Sequence, residues 1–105
     1  MSQLRGKQKR YLRALGQRLN ATVHVGHDGV TDAVVTHANT ELDTHELVKV
    51  RIGDNAPADR HEIAAALAER TDAELAQVLG RTALLYRARP EEPTIVLPPP
   101  GPGPG

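Results

Sequence analysis

Apolar positions recur through the first 89 residues in two periods, and the switches between them lay out the chain. Leu4, Gln8, Tyr11/Leu12, Leu15 and Leu19 return every three or four residues, which predicts an amphipathic first helix. Val23 and Val25 then alternate with Thr22 and His24, the period of a half-buried strand over residues 21–25. After the turn Gly26-His27-Asp28-Gly29, Thr31 is placed to cap a second helix. Asp32 stands at its positive end and Val34, Val35, Ala38 and Leu42 on its inner side, up to a break at Asp43-Thr44. The clearest strand is 46–52, where Val48, Val50 and Ile52 face one way and Leu47, Lys49 and Arg51 the other. Pro57 suits the first turn of a third helix over 58–70, with Ile63, Ala64 and Leu67 inward. Two further strands, 73–79 and 82–87, flank Gly80-Arg81, the two-residue loop of a tight hairpin.

The order α-β-α-β-α-β-β predicts a single α/β domain with a mixed four-stranded sheet. Strands linked through a helix run parallel, and strands joined by a tight turn run antiparallel. The hairpin carries Ala, Leu and Val on both faces, so its second face needs a cover, either helix 1 or a partner. Seven of the eight prolines follow Arg89, and the chain ends in PEEPTIVLPPPGPGPG. Such a segment loses backbone donors and favours extended or flexible conformations, which divides the chain into a domain over 1–89 and a disordered tail over 90–105. Residues 94–97 are the part of that tail able to pair with a sheet edge.

The 105 residues fill one domain, and with no Trp, no Phe and 2% aromatic residues its core must be aliphatic. Without cysteine, disulfides and thiolate metal sites are excluded, and a reducing cytoplasm is the expected location. No run approaches the roughly 20 apolar residues of a membrane span, and a monomer without membrane or small-molecule partners is expected. Thirteen basic residues balance thirteen acidic ones, but the first twenty residues hold Arg5, Lys7, Lys9, Arg10, Arg13 and Arg18 and no acid. Cations so close together repel one another, a cost with no return on a merely solvated face, so this end is suited to a polyanion. Lys49, Arg51 and Arg81 could extend the patch.

The loop Gly26-His27-Asp28-Gly29 has two readings. It is either a plain strand-to-helix turn needing positive φ at one glycine, or a place where backbone amides at a helix start receive phosphate, against which the Asp28 carboxylate works. The five histidines make no recognised metal-ligand spacing, and no metal or cofactor is expected. The only serine is Ser2, and no nucleophile motif or Walker sequence occurs, so the chain reads as a non-enzyme.

Four blocks in order carry a family resemblance: residues 4–15 (LRGKQKRYLRAL), the GxxG loop, His45-Glu46-Leu47-Val48-Lys49-Val50, and Gln77-Val78-Leu79-Gly80 ahead of Leu84-Leu85-Tyr86-Arg87. Together they resemble the CRM domain (chloroplast RNA splicing and ribosome maturation) in its stand-alone bacterial YhbY-type form. The resemblance implies a compact fold related to KH domains and to the C-terminal domain of translation initiation factor three. It implies RNA binding as well, in association with precursors of the large ribosomal subunit. Its functional elements fall on Gly26, His27, Asp28 and Gly29 and on the basic first helix with Lys7, Lys9, Arg10 and Arg13. The alternative is a protein-interaction adaptor that docks on ribosomal or assembly proteins through the hairpin face and the proline-rich tail.

Overall fold

The two periods in the sequence become two kinds of layer. In the computed structural model, which describes residues 4–99, β-strands β1 (Ala21–Val25), β2 (Leu47–Ile52), β3 (Glu74–Leu79) and β4 (Thr82–Tyr86) form one sheet. Helices α1 (Gly6–Gly16), α2 (Asp32–His45) and α3 (Arg60–Arg70) complete the expected order. The strands lie as β1-β2-β4-β3, with β1 parallel to β2 and β4 antiparallel to both of its neighbours. The hairpin thus folds back so that β4 fills the slot beside β2 and β3 becomes an edge.

Each face of the sheet has its own core. Val23, Val25, Val48, Val50, Ile52, Ala83 and Leu85 meet Ala38 and Leu42 of α2 and Ile63, Ala64, Leu67 and Ala68 of α3. On the other face Leu47, Ala76, Leu84 and Tyr86 meet Leu12 of α1, with Leu4, Leu15 and Leu19 at the margin. The cover for the doubly apolar hairpin is therefore α1. Its contact is close, since a Cβ at Gly16 would stand 2.8 Å from Leu84 Cδ2.

The tail expected from residue 90 onward lies against the domain as far as it is described. Ile95 and Leu97 pack on the α1 core, and the Gln8 side chain donates to the Pro98 carbonyl at 3.1 Å. The anchor is Glu46, fully buried at the end of α2 with φ +65°. Its carboxylate accepts from the backbone N–H groups of Arg89 (2.8 Å), Thr94 (2.6 Å) and Ile95 (2.8 Å) and from the Thr94 hydroxyl. Composition pointed to a solvated segment, but an ionised carboxylate aligned with three amides and two apolar side chains reaching the core hold it down. Residues 94–97 do this without forming a strand. The remainder of that predicted tail, 100–105, lies outside the described residues.

Two helix ends differ from the sequence reading. Helix α2 runs through Asp43 and Thr44 to His45, because the Thr44 hydroxyl donates back to Thr40 O at 3.0 Å and Asp43 is held by Arg87 at 2.6 Å. Helix α3 starts after Asp59, whose side chain accepts from His61 N at 2.9 Å, so Pro57 precedes the helix.

Candidate nucleic-acid interface

Helix α1 carries its cations against the electrostatics of its own backbone. Its first turn holds no acid, and Lys7 and Lys9 sit near the positive end of the helix dipole, where a carboxylate would be favoured. Lys7 and Arg10 are exposed; Lys9 and Arg13 are half-buried. Among the described residues none of Lys7, Lys9, Arg10, Arg13, Arg18, Lys49 and Arg51 is in an ion pair. Arg70, Arg81 and Arg87 each have an acid, namely Asp32, Asp54 and Asp43. Acids are thus spent on the side of α2 and α3 and at the hairpin turn, and these seven cations on the α1 side have none.

Helical spacing sorts the α1 cations. Lys7, Tyr11, Leu15 and Arg18 follow at four, four and three residues and share one flank, whereas Lys9 and Arg13 share the other. The first flank borders a groove against β1 and β2, lined by Leu15, Arg18, Leu19, Leu47, Lys49 and Ile95 among others. On the second flank Gln17 shares a smaller cavity with Gln77 of β3. The structure therefore brings Arg18 and Lys49 to one groove and leaves Lys7 at the opposite end of α1. Past the end of α1 the sheet face is open, and there His24 and Arg51 are cross-strand partners, both exposed, with Arg51 opposite Thr82.

That open edge leads into the Gly26–Gly29 loop. Gly29 N donates to Gly26 O at 3.0 Å, and Thr31 then caps α2 by accepting from Val34 N at 3.2 Å. The two glycines have different reasons. Gly29 is buried at φ +73°, and a Cβ there would stand 2.9 Å from Pro57 Cγ, so the turn itself demands glycine. At Gly26 neither applies: φ is not positive, and a Cβ would meet nothing within 4 Å. His27 and Asp28 are exposed and face each other at 3.2 Å, so the Asp28 charge lies beside an imidazole. Arg81 is brought to this end of the sheet, its carbonyl accepting from Ile52 N at 2.8 Å, but its guanidinium is engaged by Asp54.

Sequence periodicity grouped Tyr11 with the inward positions; it is 40% exposed, and its angular offset from Leu12 was the signal available. His24 was visible only as an outward residue of β1, and the groove walls Leu15 and Leu19 looked like ordinary core. Among the described residues no group of three or more His, Cys, Asp or Glu side chains could hold a metal ion, and no helix is long and apolar enough to cross a membrane.

Fold and site together define the class as a one-domain α/β protein with a cationic helix across one sheet face and a glycine-bounded turn opening a helix on the other. Within that class the chain belongs to the CRS1 / YhbY (CRM) domain family, whose model matches residues 4–87. It is 36% identical over 95 residues to the "Probable RNA-binding protein YqeI" of Bacillus subtilis, covering 90% of this chain and 99% of that protein. To an "RNA-binding protein" of Haemophilus influenzae it is 35% identical over 98 residues, covering 93% and 98%. The solution structure of a hypothetical protein from Staphylococcus aureus superimposes with a TM-score of 0.78 at 37% identity, covering 90% of this chain and 99% of that one.

Proposed function

We propose that this protein binds RNA, through the free cations of α1, Lys49 and Arg51 on the sheet face, and the backbone at Gly26. The observation that carries the reading is the segregation of charge in a neutral protein. Seven cations on and around α1 stand without an acid among the described residues, whereas Arg70, Arg81 and Arg87, away from that helix, are each paired with one. Only a polyanion offsets that repulsion, and the names of the relatives select RNA among polyanions. Gly26 supports it, because a glycine that neither φ nor neighbouring atoms require is suited to close approach of a sugar-phosphate backbone.

The target is ribosomal RNA of the large subunit during assembly, a reading that rests on the family resemblance, with the protein acting as a cytoplasmic monomer that makes and breaks no bond. Arg81 contributes less than the other cations, since Asp54 already neutralises it. The adaptor reading loses its docking surface, because the hairpin face it needs is covered by α1, Ile95 and Leu97.

The test is the salt dependence of binding. Replacing Lys7, Lys9, Arg10 and Arg13 by Gln should weaken binding to a ribosomal RNA fragment and lower the log-log salt slope by about 3, at roughly 0.7 to 0.9 per phosphate. Stability should stay nearly unchanged. An unaltered slope removes α1 from the interface. Crosslinking in cell lysate followed by RNA sequencing identifies the target, and absence of large-subunit sequences among the crosslinks refutes the ribosomal assignment.

A further inference from the structure

We propose that the groove between α1 and the first two strands receives one unpaired RNA base, with Arg18 and Lys49 gripping the adjoining phosphates and Tyr11 stacking on a neighbouring base. The proposal rests on the RNA-binding reading and adds to it that bases are contacted, not the backbone alone.

The groove has the composition this requires. Its volume of about 570 Å³ falls within the roughly 300–1,000 Å³ of pockets that bury small ligands. Leu15, Leu19, Leu47 and Ile95 give it an apolar lining, and three of these four stay partly exposed after folding. Arg18 and Lys49 both line it without an ion-pair partner among the described residues, and no carboxylate lines it. An apolar slot with two free cations and no acid complements a flat ring linked to anions. It does not complement a neutral apolar helix, which would leave both charges facing a low-dielectric partner. Asn20 and His45, also in the lining, offer donors and acceptors to a base edge.

The surroundings prolong the site. Along the groove flank of α1, Tyr11 is one turn before Leu15 and Lys7 one turn before Tyr11, so cation, ring, slot and cation follow in line. The chain has two tyrosines and no Phe or Trp; Tyr86 is buried, and Tyr11 is the one presented to solvent. Single-stranded RNA is held in this way, by stacking on side-chain rings and guanidinium planes with cations tracking the phosphates. One wall, Ile95, comes from the segment fastened by Glu46, so the slot is complete only with that segment in place.

Full-length protein labelled at methyl groups and uniformly with nitrogen-15 should be titrated with an adenosine 12-mer, a ribose-phosphate 12-mer lacking bases, and a 12-base-pair duplex, all followed by NMR. The adenosine strand should move the Leu15 and Leu19 methyl resonances upfield through the ring current of the inserted base, and neither other ligand should. Tyr11→Ala, at an exposed site, should weaken adenosine 12-mer binding roughly fivefold or more without altering the melting temperature. Shifts confined to the Lys, Arg and loop resonances, and equal with the base-free strand, would overturn the slot and leave RNA binding standing. No response to any RNA would remove both. Leucine methyl shifts produced equally by polyglutamate, or by raising the protein concentration alone, would assign the groove to a peptide or a second copy and overturn the proposal.

Discussion

Glu46 offers the sharpest test of how the described end of the chain is held. Burial alone pushes its carboxyl pKa up, but the hydrogen bond from the Thr94 hydroxyl and those from the amides of Arg89, Ile95 and Thr94 outweigh burial and bring it from 4.5 to about 2. At about 1.4 kcal/mol per pH unit, that drop corresponds to roughly 3 kcal/mol of folding stability. A single domain has about 5–15 kcal/mol in all, so this one side chain is a sizeable part of the margin. Glu46→Gln keeps the size and the strained φ and removes the charge. One carboxylate oxygen accepts from Arg89 and the other from Thr94 and Ile95, so the glutamine NH2 must face at least one N–H donor.

Urea unfolding of the two proteins across pH measures the effect. At pH 7 the glutamine variant should be about 3 kcal/mol less stable, which lowers the midpoint by roughly 1–3 M. The unfolded chain takes up its proton near pH 4.5 and the folded one only near 2, so the stabilisation is complete above about pH 5.5 and declines as the medium is acidified. The difference between the two proteins should shrink by more than half by about pH 2.5. Equal midpoints at pH 7, or a gap that persists unchanged to pH 2.5, refutes the reasoning.

Ending the chain after Arg89 removes Ile95 and Leu97 from the α1 core and most partners of Glu46, and should cost about 2–4 kcal/mol. In that shortened protein Glu46→Gln should have less than half its full-length effect, and urea titration of the four proteins of the cycle reads the coupling. Gly29→Ala should cost about 1–2 kcal/mol or more from its positive φ and the Pro57 contact, seen as a lower melting temperature. Gly26→Ala should leave stability within about 0.5 kcal/mol yet weaken RNA binding, and unchanged affinity would remove this glycine from the interface.

The elements were legible because each is amphipathic in the period of its own geometry. Val23 and Val25, Val48, Val50 and Ile52, and Ile63, Ala64 and Leu67 all face the core their spacing predicted. What failed to show locally depends on contacts distant in sequence. Asp43 and Thr44 read as helix breakers, and their propensity is overridden by Arg87, which also donates to Asn39 Oδ1 at 2.8 Å and ties α2 to the end of α3. The Glu46 anchor spans more than forty residues, so no window of sequence contains it. Its one local trace was the apolar run 94–97 inside a proline-rich tail. The cationic helix was legible as a cluster of like charges, but the groove was not, since Leu15 and Leu19 differ from core leucines only in how far the sheet beneath them extends.

A net charge of zero argues against indiscriminate binding to nucleic acid, and the placement of the charges gives binding a direction. Nine of the thirteen acids lie between Asp32 and Asp72, in α2, α3 and the segments beside them, and none lies in α1. At physiological salt a surface charge is felt over about 8 Å, well short of the 27 Å breadth of this molecule. The acids around α2 and α3 therefore do little to weaken the field over α1, and they oppose any polyanion approaching from their own side. A neutral protein built this way offers a polyanion one face only, which on the proposed reading is where RNA docks and which a uniformly basic protein of the same size would not enforce.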